Sequence, residues 1–350
     1  MRATFKYRMY PTKAQIEFLN GQLREAASLY NAALEERIGA WKICRKSINY
    51  YDQQNQLPAM RADGCLTLVN AQCAQDVLRR VDKTFQAFFA RVKRGDKPGF
   101  PRFRSFRRYD SLTFPQHPTG CRLLDNGKIR VHGAGHIKIK LHRPVQGKIK
   151  TSTIKREAGR WFVCFSVEVE AKPLPPVDTA VGIDVGLTSF AVLSDGTDIE
   201  NPRWYRAGQS KLRVAQRRVA RRKNKRSNRR RKAIQLLQRA NVRVRNQRAD
   251  FQHKLSRDLV NRHGLIAVED LNVKGLAGGM LAKSVHDAGW SQFLNYLTYK
   301  AANAGRDLVK VDPNGTSQTC TCGTWVPQTI EGSLALMPRL RFVCRSGLCQ

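Results

Sequence analysis

The spacing of apolar residues changes period several times along this chain, and each change predicts an element. Thr4 to Tyr10 (TFKYRMY) alternates apolar and polar positions, the pattern of a half-buried strand, and Pro11 closes it. Thr12 then stands three residues before Gln15, as in a capping box. It heads KAQIEFLNGQLREAASLYNAALEERIGAWKI, whose apolar residues recur at helical spacing. A second helical pattern runs from Ala71 to Arg94 and stops at the breaker GDKPGFP, Gly95 to Pro101. From Ser111 to Glu170 the period returns to two in SLTF, KIRV, HIKIKL, KTSTIKR and RWFVCFSVEV, with turns predicted at Asn126-Gly127 and Ala158-Gly159. These strands and the N-terminal one can close a small barrel into which the helices are inserted.

Three prolines in the eight residues Ala171 to Asp178 (AKPLPPVD) mark a domain boundary. Beyond them TAVGIDVGL, SFAVLSD and DIENPRWY predict three consecutive strands. A basic helical region from about Gly208 to His263 follows, then the apolar strand LIAVEDL, a helix through WSQFLNYLTYKAANAG, and the strand DLVKVDP. Three strands, a helix, a strand carrying an acid, and a helix are the order of an RNase H-like domain, here with a long helical hairpin inserted. The expected class is therefore α/β and multi-domain. No repeat of fixed period interrupts it.

Charge narrows the class further. Sixty-three Lys and Arg against 27 Asp and Glu give +36 over 350 residues. Self-repulsion at that level disfavours a compact chain unless an anionic partner offsets it. With 41% hydrophobic residues in regular patterns the chain can still bury a core, which argues against disorder. No apolar run is long enough to cross a bilayer and no signal peptide is evident, so a membrane role is not expected and nucleic acid is the favoured partner. Eleven of the sixteen residues from Arg217 to Lys232 are basic, and residues 201–260 hold 21 basic and 2 acidic side chains. Arg217, Arg218, Arg221, Arg222, Lys223, Arg229, Arg230 and Arg231 are the candidate phosphate contacts, because each counter-ion displaced from a polyanion contributes entropy. Leu212, Val219, Ile234 and Leu237 interrupt the run, as in a hairpin packed on one side. In the N-terminal half, Phe106 and Tyr109 are candidates to stack on bases, and Phe114 reads as core.

Two acids are placed where a metal would account for them. Asp184 lies in the apolar strand AVGIDVGL, and Glu269 ends the strand Leu265 to Val268. Alternation along a strand allows only one of Glu269 and Asp270 to share a face with Asp184, and Glu269 is chosen. Phosphodiester cleavage by metal ions needs carboxylates converging from several strands, usually three or more. Asp312 reads as a turn residue before proline, Asp195 and Asp198 as hairpin residues, and Asp287 as a helix cap. Of nine cysteines, Cys320, Cys322, Cys344 and Cys349 crowd the last thirty-one residues. Without a secretion signal, such a cluster points to a metal site rather than to disulfides.

From its first residues to Cys349 the chain resembles the transposon-encoded TnpB (OrfB) family, relatives of the type V CRISPR effectors. The matching text includes YRMYPTKAQ, YNAALEERI, FFARVKRGDKPGFPRFRS, YDSLTFPQ, GIDVGLTSFAVLSDG, QRRVARRK, IAVEDLNVKGL, LAKSVHDAGWSQF and VDPNGTSQTC, in the family's order. The resemblance implies a wedge β-barrel over residues 1–175 with a helical recognition insert at about 12–105. A RuvC-like nuclease domain over 179–313 follows, with its helical insert at about 208–263, and then a zinc-binding segment over 314–350. It implies a guide RNA made from the transposon end, double-stranded target DNA, Mg²⁺ held by Asp184 and Glu269 as catalytic acids, Zn²⁺ held by the four C-terminal cysteines, and a prokaryotic, cytoplasmic, nucleoid-associated setting.

Two departures temper those expectations. The family's third acid sits in an Asp-Arg-Asp-x-Asn-Ala-Ala motif that residues up to Gln350 do not contain. The cysteine spacing, Cys320-x-Cys322 and Cys344-x4-Cys349, differs from the family's paired C-x-x-C and makes a degenerate zinc ribbon. The sequence therefore predicts a guided DNA-binding protein with impaired cleavage. An active nuclease with a substitute third ligand, and a non-specific basic RNA-binding protein, are the alternatives.

Overall fold

The computed structural model describes residues 1–312. The chain divides into two compact units, Met1–Glu170 and Ala171–Gln350, so the division falls at the head of the proline-rich segment.

In the first unit, β1 (Arg2–Tyr10) runs into α1 (Lys13–Cys44). The capping box forms as the sequence predicts: Thr12 Oγ1 accepts from the Gln15 amide at 3.3 Å, and Gln15 Oε1 accepts from the Thr12 amide at 3.0 Å. Two short helices, α2 (Tyr50–Asn55) and α3 (Leu57–Ala62), return the chain to α4 (Ala71–Lys93). A buried polar knot joins these helices. Arg37 Nε donates to Gln53 Oε1 at 2.8 Å, its Nη1 donates to Asp82 at 3.1 Å, and Gln53 Nε2 donates to the Ala33 carbonyl at 2.8 Å.

The strands of this unit are β2 (Ser111–Phe114), β3 (Cys121–Leu123), β4 (Lys128–Val131), β5 (Gly135–Lys140), β6 (Lys148–Glu157) and β7 (Arg160–Glu168). With β1 they form one seven-stranded sheet in the order β2-β6-β7-β1-β5-β4-β3. Among the described residues, no ladder joins the two end strands, β2 and β3. The β6–β7 hairpin turns at Ala158 and Gly159, both at positive φ (48° and 73°), the backbone a tight hairpin requires. Tyr7, Met9, Phe114, Ile129, Ile137, Trp161, Val163 and Phe165 point inward and pack with the buried face of α1 and α4. Arg156 ties helix to sheet, donating twice to Asp110 (3.0 and 2.8 Å) and once to Asn20 (2.6 Å).

The second unit is built on β8 (Ala180–Val185), β9 (Ser189–Leu193), β10 (Asp198–Glu200), β11 (Leu265–Glu269) and β12 (Asp307–Val311), in the order β10-β9-β8-β11-β12. The first three strands are antiparallel, and β11 lies parallel to both β8 and β12. Between β10 and β11 the chain makes a hairpin of long helices, α5 (Trp204–Ala220) and α6 (Asn228–Arg262). After β11 come α7 (Val273–Leu276), α8 (Ala282–Ala288) and α9 (Trp290–Ala304). The third predicted strand is shorter than its text, because the chain turns at Pro202 and Trp204 begins a helix. Gly264 opens β11 where a Cβ would meet the Val177 carbonyl oxygen at 1.9 Å, so no side chain fits there. Buried Lys300 on α9 donates to the His253 carbonyl (2.6 Å) and to Ser256 Oγ (2.7 Å), fastening α9 to α6.

Candidate functional site

The parallel register of β8 and β11 pairs Val181 with Ile266 and Ile183 with Val268, all buried toward the core. The paired register ends there, and Asp184 and Glu269 are the next residue on each strand. Both alternate to the opposite face, together with Gly182 and Ala267. Neighbouring strands lie about 4.8 Å apart, so the two acids leave adjacent backbones on the same face of the sheet.

Burial pushes the Asp184 carboxyl above the usual aspartate range. Among the described residues no hydrogen bond or ion pair reaches its carboxylate. In a chain of net charge +36, a half-buried carboxylate left without a cation is unusual. Asp270 does have a cation, with Lys310 at 2.8 Å. On β12 it is Val311 that lies opposite Glu269, so Asp312 follows at the next position, where the alternation turns away from Asp184. Among the described residues no group of three or more His, Cys, Asp or Glu side chains is gathered as a metal site. The four C-terminal cysteines, Cys320, Cys322, Cys344 and Cys349, lie outside the described residues.

The basic run occupies the tip of the α5–α6 hairpin. Arg217, Arg218, Arg221, Lys223, Arg229 and Arg231 are exposed there. Arg222 and Arg230 also hold the turn together. Arg230 Nη1 donates to the carbonyls of Val219 (3.0 Å) and Arg222, and Arg222 Nη1 donates to the Arg218 carbonyl. These two guanidiniums satisfy carbonyls at the C-terminus of α5, so their charge serves the turn as well as the surface. Leu212 is buried, whereas Ile234 is exposed at 36%, so the packed side of the hairpin is narrower than the apolar spacing predicts.

Asp287 caps a helix, but not its own. Its carboxylate accepts from the backbone amides of Tyr205 (2.8 Å) and Arg206 (3.2 Å) at the start of α5, and pairs with Arg248 of α6 at 3.2 Å. Arg203, the residue before α5, offers no cap of its own, so the buried Asp287 supplies it from 80 residues away in sequence.

One charged surface escapes a strand-by-strand reading. The outer face of the seven-stranded sheet places Arg8 opposite both Lys140 and Phe162, Lys138 opposite Lys128 and Tyr10, and Arg122 opposite Arg130. Lys6 Nζ sits 4.2 Å from the centre of the Phe162 ring. Like charges directly opposite on neighbouring strands destabilise a sheet unless an anion lies across them. The only hint in the sequence is that each strand alternates with lysine or arginine. Which of these cations become neighbours depends on a strand order that does not follow the chain. Of the two candidate stacking residues, Tyr109 is corrected to core: it is 1% exposed, packed against Tyr30 and Arg80. Phe114 is buried as read.

This is a strongly basic α/β protein of two units. One unit carries a cationic sheet face, and the other carries a cationic hairpin and an acidic pair on a 3-2-1-4-5 sheet. Residues 162–279 match a family described as "Probable transposase". Residues 290–350 match "Cas12f1-like, TNB domain", and residues 1–46 match "Helix-turn-helix domain", although those last residues form one strand and a single helix. A Streptomyces pristinaespiralis protein named "Putative RNA-guided DNA endonuclease" is 34% identical over 357 residues, covering 99% of this chain and 85% of that protein. The Escherichia coli (strain K12) protein "Putative RNA-guided DNA endonuclease InsQ" is 30% identical over 72% of this chain and 65% of its own length. In fold the chain is similar to one in "Cryo-EM structure of the Cas12f1-sgRNA-target DNA complex", with a TM-score of 0.55 at 14% identity over 93% of this chain and 92% of that one. The chain belongs to the TnpB (OrfB) family, related to Cas12. Among the described residues no helix is long and apolar enough to cross a membrane.

Proposed function

We infer that the protein binds a guide RNA made from its transposon's end and uses it to bind matching double-stranded DNA. Its five-stranded sheet serves as a RuvC-like, RNase H-like nuclease scaffold. The observation that supports this reading is the parallel β8–β11 register, whose alternation puts Asp184 and Glu269, the next residues on each strand, on one face in a protein that otherwise presents cations. The family and the names of its relatives support the guided DNA chemistry.

The residues present fit a divalent cation: Asp184 is half-buried, short of a cation, and has its proton affinity raised by that burial. Asp184 and Glu269 would hold Mg²⁺, which supplies charge neutralisation at a phosphate and a water acidified toward hydroxide. The protein's own part is to fix two carboxylates on rigid strands and to bind the nucleic-acid backbone over the α5–α6 cations. Two acids share this face among the described residues, and guided binding with slow cleavage is the outcome weighed against an active nuclease below.

The test starts by sequencing RNA that co-purifies with the protein. The reconstituted ribonucleoprotein is then incubated with a plasmid carrying the guide match, with and without Mg²⁺. Binding that requires the match, with cleavage several powers of ten below single-turnover rates of order 1 s⁻¹, is expected. Rapid Mg²⁺-dependent cleavage that vanishes in Asp184→Ala would replace the slow-cutting reading with an active nuclease. Binding indifferent to the match would leave a non-specific RNA-binding protein.

A further inference from the structure

Residues 91–108 (RVKRGDKPGFPRFRSFRR) hold eight cations, one acid and three phenylalanines. They link α4 to β2, and three anchors pin them to the helices. Phe100 packs edge-on against Phe88 (5.3 Å between ring centres) and Phe85 (6.2 Å). The Asn31 side chain clamps the peptide of Arg104 from both sides: its Nδ2 donates to the Arg104 carbonyl at 3.0 Å, and its Oδ1 accepts from the Arg104 amide at 2.8 Å. The Arg104 guanidinium lies 4.8 Å from the centre of the Tyr30 ring. Tyr109, buried, closes the segment.

Between those anchors two phenylalanines stand out. Phe103 is 57% exposed and Phe106 is 51% exposed; Phe100 is exposed to the same degree, 52%, but packs on two rings, which neither of the others does. Phe106 occupies a tight turn closed by the Arg108 amide on the Ser105 carbonyl (2.8 Å), with the Arg107 guanidinium 5.8 Å from the centre of its ring. Arg102, Arg107 and Arg108 beside them are exposed. A loop held this firmly does not expose large aromatics through slackness. Its conformational entropy is already lost, which favours capture of a partner. The partner must tolerate dense positive charge, so a second copy of this surface is disfavoured by its own cations. It must also offer flat apolar faces between negative charges.

We propose that Phe103 and Phe106 form a stacking platform for unpaired nucleobases, with Arg102, Arg107 and Arg108 on the flanking phosphates. The ligand is single-stranded nucleic acid. A duplex keeps its bases stacked on one another and offers these rings nothing but its ends. The proposal goes beyond guided DNA recognition, because it requires no guide and no sequence match.

The experiment uses the full chain, freed of RNA at high salt, and two fluorescent probes: a twenty-nucleotide oligothymidylate and a mixed-sequence duplex of twenty base pairs. The Phe103→Ala/Phe106→Ala protein should bind the single strand roughly 10- to 100-fold more weakly and the duplex within about twofold of wild type. Phe103→Tyr/Phe106→Tyr should restore single-strand affinity, since tyrosine keeps the ring. The salt slope for the single strand should be unchanged in the alanine protein and reduced in Arg102→Ala/Arg107→Ala. Unchanged thermal melting confirms that the fold survives. Equal loss for both probes, no loss for either, or a change in oligomeric state in place of a change in affinity would overturn the platform. A protein that passes this test yet shows no guide-dependent DNA binding would break the guided reading alone.

Discussion

The outer face of the seven-stranded sheet and the acid-bearing face of the five-stranded sheet each hold like charges on neighbouring strands, in opposite senses. In the first, Arg8 faces Lys140, Lys138 faces Lys128, and Arg122 faces Arg130. In the second, Asp184 and Glu269 follow the last paired residues, Ile183 and Val268, on adjacent strands. Each arrangement raises the energy of the free protein, the first by cross-strand repulsion and the second by burying a carboxylate whose charged form burial disfavours. The ligands that relieve them differ in kind. A row of cations spread over four strands matches a long polyanion, whereas two carboxylates on adjacent strands match a point charge. The geometry of the like charges thus indicates the shape of the ligand each face fits.

The largest effect expected from this contrast lies on the cationic face. Replacing Lys128, Arg130, Lys138 and Lys140 together by Gln should weaken RNA binding by about a hundredfold at low salt. The slope of log affinity against log salt should fall by about 2–3 units. The α5–α6 variant Arg217→Ala/Arg221→Ala/Arg229→Ala/Arg231→Ala, which spares the turn-holding Arg222 and Arg230, gives the companion measurement. An unchanged slope in both proteins would show that these cations are merely solvated.

Asp287 sharpens the acidic half of the comparison, because it is a buried carboxylate in the same unit with every partner in place. Replacing it with Ala leaves two amides of α5 uncapped and Arg248 without its pair, so the protein should lose about 3–5 kcal/mol of stability. Asp287→Asn should lose about 1–2 kcal/mol, retaining a cap but not the charge. Denaturant melts of the two variants read the difference, and equal small losses would show the cap to be incidental.

Much of this was legible in the sequence, and the limits of legibility are physical. The Thr12 capping box, the strand alternation of β1 and β7, and the two acids at strand ends are local patterns, and the structure shows each of them. The α2–α3 return was not legible. YYDQQNQLPAM has no helical apolar stripe, and the segment is held by the Asn49 cap and by Gln53 bonding back to Ala33. The Asp287 cap had the right chemistry in sequence but the wrong helix, since the amides it serves arrive through tertiary packing. The cationic rows needed the order β1-β5-β4-β3, which no stretch of sequence states.

Asp184→Asn should have the opposite sign to Asp287→Asn. Burial raises the folded-state pKa of Asp184 above its unfolded value, so the native state binds the proton more tightly. Its contribution to stability is fully present below the unfolded pKa of about 3.9 and is lost as pH rises through the raised native value. At pH 7 without divalent ions, the Asn protein should therefore melt higher than wild type, by about 2–4 °C for each kcal/mol of relief. The advantage should shrink as pH falls through the raised native value and wild-type Asp184 takes up its proton. Mg²⁺ should raise the wild-type melting temperature and leave that of Asp184→Asn nearly unchanged. A wild type that is the more stable protein at pH 7 without Mg²⁺ would mean that this carboxylate already has its cation.

The smallest expected effect tests the other half of the same idea. Lys138 lies directly opposite Lys128 and beside Tyr10 on the exposed face. Lys138→Thr removes one like-charge contact and places a β-branched residue on a strand, where it packs well. Relief of such a pair is worth roughly 0.2–1 kcal/mol, so the RNA-free protein should gain that much stability while losing a little RNA affinity. The gain should be largest at low ionic strength and fade above about 0.5 M salt, where screening falls to a few ångströms. Bound RNA should reverse the order, because the polyanion that the face is built for then prefers the lysine. If Lys138→Thr is less stable than wild type with and without RNA, the lysines hold that face together by means other than a missing anion, and the parallel with Asp184 and Glu269 fails.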